Sequence, residues 1–252
     1  MSTRTCIGDR RTIEMNCFRN RNLSNSRLRT AKPGPASYGV RSGFVQAVLF
    51  TLLLCLPTPA LQAKAPVKLV AFGDSLSAGY LLPAQDAFPS VLEKALLADG
   101  YDVTIVNAGV SGDTASGGLA RLDWTLANGA DGLILELGAN DMLRGTDPNV
   151  TRAALEQILM RLQAKNIKVL IAGMLASPSF GQDYKAAFDA IYPELATKYD
   201  ATLYAFFLDG VTGEPKMTLS DGLHPNRAGV ERIVKGILPT AEAFLKKLSV
   251  GN

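Results

Sequence analysis

The sequence predicts a parallel, doubly wound α/β domain in which a five-stranded sheet lies between two layers of helices. Three observations predict this three-layer α/β/α class. Five short, almost continuously apolar segments recur between residues 68 and 207, as expected for strands covered on both faces. Segments with apolar residues at helical spacing lie between them, which favours crossover helices. Polar or glycine-rich segments follow several strands, where sheets of this class bind their ligands.

The predicted strands are short runs of leucine or β-branched residues, and most of them lead into a glycine, asparagine or aspartate. The five segments are Lys68–Phe72, Val103–Val106, Leu133–Leu137, Ile167–Ala172 and Thr202–Phe207. They lack the alternation of a half-exposed strand, so we expect them to form the buried centre of the domain.

Three helices are predicted from the helical repeat of apolar residues. The clearest covers residues 147–165, where Asp147 is suited to cap the helix and Pro148 suits its first position. A second helix is expected to bend at Pro193, because a proline cannot donate the backbone N–H that a helix interior needs. A third helix is predicted near the C-terminus, where apolar residues recur over residues 230–238.

Residues 1–63 are predicted to be an N-terminal extension that includes a secretory signal peptide. Residues 1–42 contain nine basic and two acidic residues, and the apolar run Phe44–Leu56 and a small-residue exit at Ala63 follow. This order is typical of a signal peptide, and the run is shorter than the roughly 20 residues that span a bilayer. We therefore expect cleavage after Ala63, one domain over residues 64–252, a periplasmic or secreted protein, and no stable membrane insertion after cleavage.

The length of the basic segment leaves two interpretations open. Only Arg41 lies close to the apolar run, so we interpret residues 1–39 as the result of a misassigned translation start, with the true start near Val40. The alternative is a disordered basic arm or a transit peptide, because transit peptides are also rich in Arg and Ser.

The charge, cysteine and histidine content of residues 64–252 argues against several classes of function. Nine of the 26 basic and two of the 23 acidic residues precede residue 64, which leaves 17 basic and 21 acidic residues and a net charge of −4. This balance argues against nucleic-acid binding, which needs clustered Lys and Arg. All three cysteines precede residue 64, and the chain has a single histidine. We therefore predict neither a metal site nor a cofactor.

Residues suited to acyl transfer follow the first three predicted strands. Ser75 lies shortly after the first strand, next to Gly73 and Asp74, and we interpret it as a nucleophile. The glycine-rich residues 107–114 follow the second strand, and Asn140 follows the third; both can supply N–H donors to an oxyanion. Taken singly, the Ser75 segment and residues 107–114 are better explained as a helix cap and an ordinary turn, and Asn140 is equally compatible with a turn residue.

The only histidine, His224, lies in a loop before the C-terminal helix, three residues after Asp221. This spacing allows the carboxylate to hold one ring nitrogen while the other nitrogen faces a hydroxyl group. A lone histidine is more often a packed or surface residue. Because a nucleophile, oxyanion donors and an Asp–His pair each occur once, in separate segments, the set as a whole favours a serine hydrolase. The GxSxG motif of the α/β-hydrolase fold is absent.

Four segments in order, GDSLSAGY, SGDT, GAND and DGLHPN, resemble the sequence blocks of the SGNH (GDSL) hydrolase superfamily. The resemblance covers about residues 66–240 and is closest to the bacterial periplasmic acyl-CoA thioesterase, lysophospholipase and arylesterase group. It implies a flavodoxin-like fold and the following site: a catalytic triad of Ser75, Asp221 and His224, with an oxyanion hole formed by Ser75, Gly112 and Asn140. We expect a monomer that acts on a small-molecule or lipid acyl ester.

The predicted function is therefore that of a serine esterase and thioesterase, which hydrolyses aryl esters, acyl-CoA and lysophospholipids through an acyl-enzyme on Ser75. Apolar residues beyond the strand ends are candidates for the acyl-binding cleft, although each is equally suited to the core: Leu81, Leu82, Met142, Leu143, Met174, Leu175 and Phe180. Two alternatives remain open. A carbohydrate or peptidoglycan O-acetyl esterase would use the same groups, and a binding module on the same fold would not turn over its ligand.

Overall fold

The computed structural model describes Gly34 and residues 65–250. The predicted N-terminal extension and signal segment, residues 1–63, lies outside the described residues apart from Gly34, so its cleavage and export remain predictions. In the part of the chain that is described, no helix is long and apolar enough to cross a bilayer.

A five-stranded, fully parallel sheet forms the centre of the domain, which confirms the predicted fold class. Its strands are β1 (Val67–Gly73), β2 (Val103–Asn107), β3 (Gly132–Glu136), β4 (Lys168–Ala172) and β5 (Thr202–Tyr204). Their spatial order is β2-β1-β3-β4-β5. This is the flavodoxin-like order, in which the chain winds in opposite directions from β1 and opens a crevice at the carboxyl ends of β1 and β3.

The fifth strand is shorter than predicted. The sequence predicts a strand to Phe207, but β5 ends at Tyr204. The Gly173 N–H donates to the Tyr204 carbonyl at 2.8 Å, and the Gly173 carbonyl accepts from the Phe207 N–H at 2.8 Å. Gly173, the residue after β4, thus bonds to Tyr204 and to Phe207, which are three residues apart. Residues 205 and 206 are therefore left out of the ladder, and the strand ends at Tyr204. Phe207 is nevertheless fully buried, which explains its apolar character in the sequence.

Eight α-helices occur in residues 65–250. They are α1 (Ser75–Ala78), α2 (Phe88–Ala98), α3 (Ala115–Thr125), α4 (Ala139–Leu143), α5 (Pro148–Ala164), α6 (Gln182–Asp189), α7 (Ile191–Lys198) and α8 (Arg227–Val250). Helices cover both faces of the sheet: α2 packs on β2 and α8, and α3 packs on α5. Two short 3₁₀ helices, Ala84–Asp86 and Pro178–Phe180, lie in the connections.

The predicted helix over residues 147–165 is confirmed as α5, and the Asp147 carboxylate caps it by accepting from the Asn149 N–H at 2.8 Å. The single bent helix predicted around Pro193 is wrong. Two helices, α6 and α7, meet at Ala190 instead, with Pro193 in the first turn of α7. A proline has no N–H for a bond to the residue four positions earlier, so it fits the start of a new helix better than the interior of one long helix.

Candidate active site

A sharp turn from β1 into α1 presents Ser75 at the carboxyl end of the sheet. Asp74 caps α1, and its carboxylate accepts from the Leu76 N–H at 2.9 Å. A side chain at Gly73 would place its Cβ 2.2 Å from the Ser77 hydroxyl oxygen, so the turn requires glycine there. Ser75 is largely buried, with 8% of its surface exposed. The turn therefore fixes the direction of the Ser75 hydroxyl and removes most of its surface from water.

Asp221 and His224 form a rigid turn that leads towards α8. One carboxylate oxygen of Asp221 accepts from the backbone N–H groups of Leu223 and His224, at 2.9 and 3.0 Å. The other carboxylate oxygen lies 2.7 Å from Nδ1 of His224. The backbone N–H of His224, then that of Leu223 and then the imidazole lower the pKa of Asp221 to about 2. Asp221 is therefore ionised at neutral pH, and because a carboxylate only accepts, Nδ1 carries the proton.

The structure brings the predicted nucleophile and base together. Nε2 of His224 lies 2.9 Å from Oγ of Ser75, although the two residues are 149 positions apart in the chain. With Nδ1 protonated, Nε2 of the neutral ring is the acceptor for the Ser75 hydroxyl proton. The ring of Tyr80 lies against the imidazole with centroids 4.4 Å apart, which adds a second restraint on its orientation. This chain of carboxylate, imidazole and hydroxyl can transfer a proton from Ser75 to His224.

The three predicted oxyanion donors follow the ends of β1, β2 and β3: Ser75 begins α1, Gly112 lies on the loop after β2, and Asn140 lies in the first turn of α4. Gly112 has a φ of +85°, a backbone conformation that glycine adopts without strain. The amide nitrogen of Asn140 lies 3.0 Å from an Asp74 carboxylate oxygen and 3.0 Å from the Asp113 carbonyl oxygen. These bonds link the first turn of α4 to the turn after β1 and to the loop after β2, so the donors belong to one hydrogen-bonded unit.

Two carboxyl groups lie buried behind the nucleophile, and sequence reasoning missed both. Glu136, the last residue of β3, is fully buried; its Oε2 accepts from the Ser77 hydroxyl at 2.8 Å and from the Asp74 N–H at 3.3 Å. Its Oε1 has no hydrogen-bond partner. Burial raises the pKa of Asp74 to about 6. Burial, and next the charge of Asp74, raise the pKa of Glu136 well above its ordinary value. The signal available in the sequence was a glutamate inside an otherwise apolar strand.

Because Glu136 is a buried acid, we expect the Glu136→Gln variant to become more stable than the parental protein as the pH rises. A carboxyl group with a raised pKa holds its proton more tightly in the folded state, so the parental protein loses stability as the pH rises from about 4.5, its unfolded value, through the folded value. Each unit by which the folded pKa exceeds the unfolded pKa contributes about 1.4 kcal/mol to this loss of stability. Glutamine has no charge, accepts the same two bonds, and replaces one unpaired buried atom with another.

The measurement is urea unfolding of both proteins between pH 4 and pH 8. We expect similar free energies of unfolding at pH 4 and a growing advantage of Glu136→Gln towards pH 8. The control is Glu214→Gln on an exposed loop, which should run parallel to the parental protein. A difference between the two free energies of unfolding that stays constant from pH 4 to pH 8, or that shrinks as the pH rises, would contradict a neutral Glu136.

A mainly apolar cleft of about 560 Å³ opens beside Ser75, Asn140 and His224. Five of the seven predicted cleft residues line it: Met142, Leu143, Met174, Leu175 and Phe180. Apolar residues that the sequence did not indicate also line it, among them Phe206, Leu208 and Leu223. The prediction of Leu81 and Leu82 as cleft residues is wrong, because Leu81 adopts a φ of +57° in a tight turn and is 76% exposed, and Leu82 packs against the core.

Comparison with known proteins gives matches over most of the described domain. Residues 71–232 match the GDSL-like lipase/acylhydrolase family. The chain is similar to an arylesterase from Vibrio mimicus, with 39% identity over 182 residues that cover 72% of this chain and 90% of the relative. It is also similar to thioesterase 1/protease 1/lysophospholipase L1 from Escherichia coli K12, with 41% identity over 182 residues, or 71% of this chain and 83% of the relative. The crystal structure of TesA is 38% identical with a TM-score of 0.67, and the match covers 72% of this chain and 99% of that one.

Proposed function

This chain belongs to the GDSL-like lipase/acylhydrolase family and is a serine hydrolase of carboxylic esters and thioesters, and we propose that Ser75, Asp221 and His224 are its catalytic triad. The observation that carries the proposal is the continuous contact from Asp221 through the imidazole to Ser75, with heavy-atom distances of 2.7 and 2.9 Å. These distances lie within the range for direct proton transfer between a nucleophile and its base.

In the first half of the reaction, Oγ of Ser75 attacks the acyl carbonyl carbon while its proton moves to Nε2 of His224. The charge of Asp221 stabilises the imidazolium that forms. The carbonyl oxygen becomes an oxyanion, which the backbone N–H groups of Ser75 and Gly112 stabilise together with the Asn140 amide, one of whose two N–H groups exchanges its bond to Asp74 or Asp113 for a bond to the oxyanion. The intermediate then collapses: the bond to the leaving oxygen or sulfur breaks, His224 gives that atom its proton, and an ester of Ser75 remains.

In the second half, water takes the place of the alcohol or thiol. His224 removes a proton from the water, whose oxygen attacks the acyl carbon, and the same three donors hold the second oxyanion. Collapse returns the proton to Oγ of Ser75 and releases the carboxylic acid. All the proton transfers use His224, so the proposed cycle needs no metal or cofactor.

We propose that the apolar cleft binds the acyl chain and that aryl esters, acyl-CoA and lysophospholipids are substrates. Thioether and leucine side chains make up much of its wall, including Met142, Leu143 and Met174. A volume of about 560 Å³ lies within the range of small-molecule sites and exceeds what an acetyl group needs. The cleft therefore favours longer acyl chains over the alternative of an O-acetyl esterase acting on carbohydrate or peptidoglycan.

A series of p-nitrophenyl esters from acetate to octanoate tests this substrate class. Burying one methylene group contributes about 0.8 kcal/mol, so kcat/KM should rise by up to about fourfold per methylene until the chain fills the cleft. A sharp decline beyond acetate would instead identify an acetyl esterase. Met142→Ala should change the chain-length profile, because Met142 lines the cleft. Met160→Ala is the matched control, since Met160 lies outside the cleft and is 54% exposed.

We also propose that the enzyme acts as an exported monomer, in the periplasm or outside the cell. Export is supported by the order of segments in residues 1–63, which runs from the basic residues 1–42 through the apolar run Phe44–Leu56 to the small-residue exit at Ala63. Sequencing the N-terminus of the protein recovered from the cell exterior tests it, with Lys64 as the expected first residue. An N-terminus before Phe44 would show that the segment is retained.

A further inference from the structure

Arg121 on α3 binds the end of β1 and the loop after β2, on the side away from the cleft. Its Nε lies 2.5 Å from an Asp113 carboxylate oxygen, its Nη1 donates to the Ala108 carbonyl at 2.9 Å, and its Nη2 donates to the Gly73 carbonyl at 2.9 Å. The side chain is only 17% exposed, and its guanidinium carbon lies 4.1 Å from the centroid of the Phe72 ring. Arg121 is therefore held by more contacts than the arginine of an ordinary surface ion pair.

The groups that Arg121 binds are next to the proposed oxyanion donors. Gly73 precedes Ser75 by two residues, and its carbonyl also accepts from the Val110 N–H at 3.0 Å. Asp113 directly follows Gly112, which supplies the second backbone donor. One guanidinium therefore joins the end of β1 to the loop after β2 and restrains the distance between the Ser75 and Gly112 N–H groups.

The third donor is connected to the same arginine through Asp113. The amide nitrogen of Asn140 lies 3.0 Å from the Asp113 carbonyl oxygen, while Arg121 holds the Asp113 carboxylate. Arg121 itself is not among the residues that line the cleft. Any effect of Arg121 on the reaction must therefore pass through the groups that it holds.

We propose that Arg121 is a positioning residue for the oxyanion hole, which sets the relative placement of the Ser75, Gly112 and Asn140 donors. The proposal rests on the hydrolase mechanism above. Preorganised donors stabilise an oxyanion only when they point at the place where its charge develops. A misplacement of about 1 Å can cost about 100-fold in rate, so loosening this unit should slow catalysis without removing any catalytic group.

Lysine cannot replace the arginine in this role. The guanidinium is planar and donates in three directions, while a lysine ammonium is a compact charge on a flexible stem. The three partners of Arg121 come from three separate positions, at Gly73, Ala108 and Asp113. Arg121→Lys therefore keeps the positive charge beside Asp113 but loses the fixed geometry.

The test compares Arg121→Lys with the parental enzyme on p-nitrophenyl butyrate. We expect kcat to fall by about 10- to 100-fold with KM within about threefold, because ground-state binding in the cleft is untouched. A merely structural role would lower the folded fraction, so the thermal unfolding midpoint is measured on the same samples. Arg161→Lys is the matched control, since Arg161 pairs with Asp123 on the exposed surface and should keep parental kinetics.

Inhibition by butylboronic acid distinguishes a misplaced oxyanion hole from a general loss of folded structure. Oγ of Ser75 adds to boron as its proton moves to His224, and a boronate oxygen then occupies the place of the oxyanion. We expect Arg121→Lys to weaken this inhibitor by about the same factor as kcat, while inhibition by butyric acid, which forms no tetrahedral adduct, changes by less than about threefold. For Arg121→Ala, millimolar guanidinium should restore part of kcat in a saturable manner.

Two results would overturn the inference. One is an Arg121→Lys enzyme with parental kcat and parental boronate affinity. The other is a loss of activity that matches the loss of folded protein and leaves boronate affinity unchanged in the folded fraction. Either result would leave the triad intact, because the triad is tested separately at Ser75 and His224.

Discussion

Ser75→Ala is expected to fold normally and to lose about five to six orders of magnitude in kcat for ester hydrolysis. The substitution removes the only atom that forms the acyl-enzyme in the proposed mechanism. It leaves the N–H of residue 75, Gly112, Asn140 and the apolar cleft in place. Those groups alone still accelerate attack by water about 10³- to 10⁴-fold, so a small rate above the uncatalysed reaction should remain.

The measurement is kcat on p-nitrophenyl butyrate, with circular dichroism and thermal unfolding to establish that the variant is folded. The matched control is Ser116→Ala, a serine-to-alanine change at an exposed position on α3, which should retain parental kinetics. A folded Ser75→Ala protein that hydrolyses esters at the parental rate would refute the proposed mechanism.

The sheet could be predicted because its strands are buried on both faces. Strands β1 to β4 agree with the predicted segments to within about one residue at each end, since burial selects a continuous apolar run that stops where the chain reaches polar surface. The end of β5 could not be predicted in this way. Phe207 is as apolar as a strand residue and is fully buried, but Gly173 bonds on either side of residues 205 and 206.

The reacting groups could be predicted because parallel strands carry them to one edge of the sheet. Ser75 follows β1 and Asn140 follows β3, and these strands are neighbours, so two positions distant in sequence meet by topology alone. His224 was identifiable as the only histidine with a carboxylate three residues before it. The residues that support this site gave weaker signals. Arg121 resembles any charged residue on a helix, and Glu136 differs from its neighbours only as a glutamate inside an otherwise apolar strand.

His224→Ala is expected to lower kcat by about as much as Ser75→Ala, because Ser75 is a weak nucleophile without a base. The chain offers no substitute, since His224 is its only histidine. The stronger expectation concerns the double variant. If His224 acts only through Ser75, combining the two substitutions should cost no more than about twofold beyond the slower single variant, whereas independent roles would multiply the losses.

The double variant therefore measures whether the contact between Nε2 and Oγ carries the reaction. Asp221→Asn is expected to have a smaller effect than the other two single variants. Its kcat should fall by about 10⁴-fold, because an amide keeps the side chain in place but favours the wrong imidazole tautomer. All three variants need the same folding controls. If the double variant is orders of magnitude slower than either single variant, His224 contributes to the reaction by a route that does not involve Ser75. A near-equal rate would locate the chemistry at the 2.9 Å contact between them.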